Sequence, residues 1–233
     1  MNGRAKKYNI RQILALAMFA AIAYISLFVM RIGGIGGFLT FDVKDAIIAV
    51  AAMIFGPLHG ILISFVVSLV EMITISGTGP WGFLMNFVSS AVFSSVASSI
   101  YHSAPHLKKT FGGAIAGLCG SVVSVICVMM VLNIFVTPIY YQVPVEAVYK
   151  MLLPLLLPFN AIKAVANAAI VFVLYKPLSN ALRRIHVAGG EPRTYVHDRK
   201  SIIRLIGGIA VVVVCILLMI LVLNGHFQLF RKS

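Results

Sequence analysis

Leu157-Pro158-Phe159-Asn160-Ala161-Ile162-Lys163-Ala164-Val165-Ala166-Asn167 sets one cation and two amides inside a segment otherwise apolar enough to cross a bilayer. On a helix turning 100° per residue, Asn160, Lys163 and Asn167 fall within about 60° of one another, so they form a single polar stripe. A charge inside a membrane span, flanked by amides, marks a binding site for something polar. The competing reading is a lysine that snorkels to the nearer interface beside two interhelical amides, since Lys163 lies only about 12 Å inside the expected helix start.

The rest of the chain supplies the membrane context. Of its 233 residues 61% are hydrophobic and 11% charged, and mean hydropathy is +1.02. Soluble domains carry about 25% charged residues, which excludes that class. Apolar segments run over residues 10–32, 44–54, 58–76, 82–102, 112–136, 155–178 and 202–224. Most reach the roughly 20 residues a span requires; the second is short, abuts Gly56-Pro57 and reads as a half-length helix. This is an all-α, multi-pass membrane protein. Residues 1–185 form a six-helix body, 186–201 a cytoplasmic linker, and 202–233 a seventh, C-terminal transmembrane helix with a short tail. The seventh segment, Ile202 to Leu223, has no interior polar residue and reads as a lipid-facing addition. The first segment is too long for a signal peptide and lacks a small-residue cleavage site, so it is read as a retained span.

The net charge of +13 is distributed by side rather than by patch. Arg4, Lys6, Lys7, Arg11, Lys108, Lys109, Lys176, Arg183, Arg184, Arg193, Arg199, Lys200 and Arg204, thirteen of the 19 basic residues, fall in segments that alternate crossings place together. The positive-inside rule makes that side cytoplasmic and puts the N-terminus inside. Basic loops against anionic headgroups account for the charge, and no nucleic-acid role is expected. Arg231 and Lys232 then fall outside, a mild violation. Cys119, Cys127 and Cys215 read as buried small hydrophobes. His102 and His106 have the i, i+4 spacing of a zinc pair, but Pro105 interrupts the turn and no acidic or thiol partner is near, so no metal is expected.

Signs of catalysis are few. No G-x-x-x-x-G-K-[ST] loop, H-E-x-x-H or G-x-S-x-G occurs; without the first, the chain has no route of that kind to ATP hydrolysis. Glu71 is an intramembrane acid whose candidate partner is Lys163, with a protonated, neutral carboxyl as the alternative. The outer loops say more. Gly33-Gly34-Ile35-Gly36-Gly37 leads into Leu39-Thr40-Phe41, either as a mobile approach to a ligand or as a plain linker. Ser76 to Gly82, with Thr78, leads to Asn86. Asn133 precedes Thr137-Pro138-Ile139-Tyr140-Tyr141, where the tyrosines serve a site or an interfacial aromatic belt. Polar groups from four segments thus converge on the outer half of the bundle. Ala17 and Ala21 form a small-xxx-small pair on the first span, which suits either an internal seam or a partner helix.

Together these residues resemble the riboflavin-specific substrate-binding (S) components of energy-coupling factor (ECF) transporters, the RibU family. The likeness rests on Phe38-Leu39-Thr40-Phe41-Asp42-Val43-Lys44-Asp45, Phe55-Gly56-Pro57-Leu58-His59-Gly60, Gly77-Thr78-Gly79-Pro80-Trp81-Gly82 with Asn86, Asn133 before Pro138 and Tyr140, and Leu157 to Lys163, over about residues 10–185. The resemblance implies a six-helix bundle of the S-component type that takes riboflavin from outside and associates with a transmembrane coupling subunit and two ATPase subunits, without a nucleotide site or cofactor of its own. It implies substrate contacts at Leu39, Thr40 and Phe41, at Asn86 and Asn133, and at Asn160, Lys163 and Asn167, with Glu71, Thr78 and Tyr141 as further candidates and Ala17 and Ala21 as the docking pair. Ribityl hydroxyls suit amides and an ammonium, and the flat ring suits an apolar slot closed by Phe41 or a tyrosine. Two departures stand out: the seventh span, and Lys44 within an otherwise acidic first loop. The competing readings are an S component for another vitamin or nucleobase-like compound and an intramembrane enzyme. A channel would need polar residues through its whole depth.

Overall fold

The computed structural model describes residues 10–29, 32–35, 39–106, 108–185 and 187, with isolated positions between 206 and 218. The expected linker at 186–201 and seventh span lie outside the described residues apart from such isolated positions.

The elements are helices with one small hairpin. Helix α1 spans Ile10–Val29, strands β1 and β2 span Ile32–Ile35 and Leu39–Phe41, and α2 to α7 span Lys44–Phe55, Pro57–Thr74, Gly79–Ser103, Phe111–Tyr141, Val145–Met151 and Leu157–Arg184. The two strands pair antiparallel, Ile32 opposite Phe41 and Ile35 opposite Leu39. A π-helical turn, Leu152–Leu156, joins α6 to α7, so Val145–Arg184 runs as one 40-residue span. Pro154 lies inside this turn. Proline has no N–H to give the α-helical ladder, and the wider register is a local way to continue the helix past it. Among the described residues five helical spans are long and apolar enough to cross a membrane, and the short α2 completes a six-helix bundle.

Local sequence sets the turns. Gly56, at φ 116°, reverses the chain between α2 and α3 in a backbone region closed to most L-residues, and Pro57 opens α3 where its missing N–H costs nothing. Thr110 caps α5, its Oγ1 accepting from the Gly113 N–H at 3.1 Å.

Helix α2 sits at the centre, against α1, α3, α4 and α7. Nine of its residues are buried, including Lys44 and Asp45. Small residues on its neighbours allow the close approach. Ser90, Ser94 and Ser98 form a stripe along α4, and Ser98 Oγ donates to the Ala52 carbonyl at 2.7 Å. At Gly117 of α5 a Cβ would stand 2.6 Å from the Ala97 carbonyl oxygen, so α4 and α5 touch backbone to backbone there. Such packing is how helices associate where lipid removes the hydrophobic drive. The core follows these contacts: Phe19, Ala23, Ile48, Met53, Ile63, Val67, Phe93 and Val171 form one cluster.

Two expectations are decided here. Cys119 and Cys127 are exposed on the bundle exterior rather than buried; Cys215 is buried. Ala17 and Ala21 lie on the exposed face of α1, beside Leu14, Met18 and Ile22, while Ala15, Phe19 and Ala23 face the core; the pair is not an internal seam. His102 gives its Nε2 to a hydrogen bond with the Met53 carbonyl at 2.9 Å.

Candidate functional site

A cavity of about 240 Å³ opens at the hairpin end of the bundle. Its wall takes Thr40 from the hairpin, Ser76, Gly77 and Thr78 from the α3–α4 turn, Trp81, Met85, Asn86 and Ser89 from α4, Asn133, Val136, Thr137, Tyr140 and Tyr141 from α5, and Phe159, Asn160 and Lys163 from α7. Amides and hydroxyls alternate with aromatic and thioether groups. The proline at position 158 is tolerated because it stands at the start of α7, and from there Phe159, Asn160 and Lys163 share one face. Of the candidates named from sequence, Thr40, Thr78, Asn86, Asn133, Tyr141, Asn160 and Lys163 line this space. Phe41, Glu71 and Asn167 do not.

The buried amides hold their donors within their own helices. Asn133 Nδ2 donates to the Met129 carbonyl and Asn160 Nδ2 to the Leu156 carbonyl, both at 2.7 Å, while Asn133 Oδ1 accepts from Thr137 Oγ1 at 3.1 Å. This back-bonding fixes each side chain in a single orientation. Asn167, one turn below Lys163, back-bonds in the same way, its Nδ2 donating to the Lys163 carbonyl at 3.1 Å, and also reaches the head of α2. Its Oδ1 accepts from the Ala46 N–H at 3.0 Å, capping one of the open donors at the start of α2, and its Nδ2 donates to the Asp42 carbonyl at 3.3 Å. Phe41 is buried with Val148, Leu155, Leu156 and Phe159, pinning the hairpin to the π turn. The side chain of Leu39 is outside the described residues.

Charge is organised around the head of α2. Lys163 Nζ donates to Asp42 Oδ2 at 3.0 Å and to the Thr40 carbonyl at 3.3 Å, and stands 3.9 Å from Asp45 Oδ2. It is therefore paired inward rather than snorkelling. Asp45 also accepts from Ser90 Oγ. The expected pairing of Glu71 with Lys163 is not what forms: Glu71 Oε2 meets Lys44 Nζ at 2.5 Å, both side chains 1% exposed. Lys44, which departs from an acidic first loop, thus answers an acid on α3. Burial pushes the Asp42 carboxyl up, but the neighbouring Lys163 and Lys44 ammonium groups outweigh it and hold the carboxyl below its ordinary value. Sequence reasoning passed over Asp42, Lys44 and Asp45 as a unit. The available signal was three charges in four residues at the mouth of an apolar helix, where each must find a partner.

A family described as "ECF transporter, substrate-specific component" matches residues 11–175. The chain is 30% identical over 195 residues to the riboflavin transporter RibU of Staphylococcus aureus (strain TCH60), a match covering 79% of this chain and all of that protein. It is 22% identical to the riboflavin transporter FmnP of Bacillus subtilis (strain 168), over 77% of this chain and 99% of that one. A solved structure of the S component of a bacterial ECF transporter superposes with a TM-score of 0.62 at 28% identity, covering 75% of this chain and 98% of the other. With its family match spanning most of the six-helix body, the chain belongs to the substrate-specific components of ECF transporters.

Proposed function

We propose that this chain is the riboflavin-binding membrane subunit of an ECF importer, taking the vitamin at the hairpin end and delivering it with a coupling subunit and two ATPase subunits. The observation that carries the ligand assignment is the cavity wall: amides and hydroxyls from four elements face the same space as Trp81, Tyr140 and Phe159. A flavin has both a flat apolar ring and a polyhydroxyl chain, and a pocket with apolar walls and few polar groups fixes such a ligand by its hydroxyls. Similarity to two riboflavin transporters supports the same assignment. In this reading riboflavin is cargo, no resident cofactor is involved, and residues 1–185 are the binding domain with the C-terminal segment appended. The distribution of basic residues supports an N-terminus in the cytoplasm and the hairpin end outside.

The absorption spectrum of the protein purified in detergent from cells grown on rich medium tests the ligand. A flavin spectrum that persists through washing is expected. Colourless protein that also leaves added riboflavin fluorescence unquenched would point to another vitamin.

Docking is proposed on α1, whose exposed Ala17 and Ala21 let a helix of the coupling subunit approach closely. Changing both to leucine should leave riboflavin binding intact and abolish uptake by cells. Normal uptake in that double variant would remove α1 from the docking surface.

A further inference from the structure

The apolar segment at 202–224 reads from its sequence as facing lipid all round, and its described positions Val211, Val213, Val214, Leu217 and Leu218 are between 42% and 55% exposed. Cys215, helical like them, is only 5% exposed. It is buried in one cluster with Phe41 of the hairpin, Val148 of α6, Leu155 and Leu156 of the π turn, and Phe159 and Ala166 of α7. Cys215 is the small residue between Val214 and Ile216, and Ala166 is the small residue on the α7 side. Small side chains on both partners permit the close approach on which helix association in lipid depends. Depth agrees. At 1.5 Å per residue, Cys215 stands about 20 Å above the cytoplasmic start of its segment at Ile202, and Ala166 about 14 Å below the start of α7 at Leu157. Measured from opposite faces of a hydrocarbon core about 30 Å thick, the two heights meet.

We propose that the C-terminal helical segment seats through Cys215 on the face formed by α6, the π turn and α7, and braces the anchor of the hairpin so that bound ligand leaves slowly. The cluster it joins is the layer behind one wall of the cavity: Phe159 lines the cavity, and Phe41 follows Thr40, which lines it too. Any outward movement of Thr40 draws Phe41 from this cluster. Close-packed interiors transmit such displacement rather than absorbing it, so a helix resting on the outside of the cluster resists the movement. The seat also leaves the proposed docking face free. Helix α6 and the π turn pack on α5 and α7, whereas α1, with Ala17 and Ala21, packs on α2 and α3.

The bracing role is read with riboflavin and so rests on the flavin reading; the seat does not. In the full-length chain carrying Cys119→Ser and Cys127→Ser, Cys215 is the one remaining thiol. Val148→Cys, Leu155→Cys or Ala166→Cys is added in turn, a protease site is placed within 186–201, and membranes are oxidised with copper phenanthroline before cleavage. A disulfide needs Cα atoms within about 7 Å, so at least one of the three should hold the fragments together on a non-reducing gel, and Ile22→Cys on exposed α1 should not. No cross-link at any of the three, or an equal one at Ile22→Cys, would overturn the seat. In the otherwise unaltered chain, Cys215→Phe should speed riboflavin release, followed by fluorescence recovery on dilution, by about tenfold, while Cys215→Ala stays within about twofold of the wild type. Cys215→Leu, a smaller wedge, should fall between them and supplies the reading if Cys215→Phe does not fold. Release at the wild-type rate from the bulky variants would overturn the bracing role. Failure of the wild type to bind riboflavin would overturn the flavin reading, with the cross-link still deciding the seat.

Discussion

Replacing Lys44 with methionine should destabilise the bundle by about 3–5 kcal/mol, the cost of leaving a buried charge without its partner. Lys44 enters from the head of α2 and Glu71 from α3, and the two meet at 2.5 Å with 1% of each side chain exposed. Removing the ammonium leaves the Glu71 carboxylate in a medium of low polarity without the cation beside it. Glu71→Leu should cost a similar amount for the mirror reason. The double variant Lys44→Met/Glu71→Leu should recover most of the loss, because apolar groups of similar volume replace a buried ion pair at little or no net cost. Thermal unfolding in detergent across this cycle reads the coupling directly. If the two single losses simply add in the double variant, the pair does not join α2 to α3 energetically.

Lys163→Ala should be the most damaging change in the cavity wall, affecting both folding and binding. Asn160→Ala removes one polar contact and should weaken riboflavin binding by about 1–3 kcal/mol with the bundle intact. Lys163 differs because it holds Asp42 and Asp45 as well as facing the cavity. Its truncation leaves both carboxylates without their shared cation, for a stability loss of about 3–5 kcal/mol, together with loss of the donor offered to the ligand. Adding Asp42→Asn to Lys163→Ala should restore much of the stability and none of the binding. Melting and riboflavin quenching, measured on the same samples, separate the two roles. A Lys163→Ala protein that melts like the wild type would show that the ion pairs do not hold the hairpin to α7.

Hydropathy and turn residues made most of the architecture legible. The six apolar segments of the body correspond to α1 to α5 and α7, and the short segment stopping at Gly56-Pro57 is the half-length α2. Three features escaped. The hairpin Ile32–Ile35 with Leu39–Phe41 hides in a glycine run that carries no alternating pattern. Helix α6 contains Glu146 and Lys150, which place it below any hydropathy threshold, although it continues the last span. The π turn depends on how the chain accommodates Pro154 between two packed helices, and nothing local specifies it. The same division holds for the cavity. Helical spacing brings Asn160 and Lys163 to one face, but Asn167 turns to α2 because its neighbour there is the open N-terminus at Ala46. Partner choice between Lys44 and Lys163 for Glu71 depends on the rotation of α2 against α3, which no spacing along one helix encodes.

The dimensions of α2 bear on how the chain is built into a membrane. Its 12 residues rise about 18 Å, short of a hydrocarbon core about 30 Å thick, and it begins with Lys44 and Asp45, each a burden of about 2.5–3.5 kcal/mol if placed at mid-bilayer alone. Such a segment has no reason to leave the translocation channel by itself. Helix α3 is one glycine away in the chain and brings both a full-length apolar body and the carboxylate that neutralises Lys44. Biosynthetic insertion of this region is therefore an event of the hairpin Lys44–Thr74 as a whole, with α2 carried into the lipid as a passenger of α3 and its charges matched before they leave water.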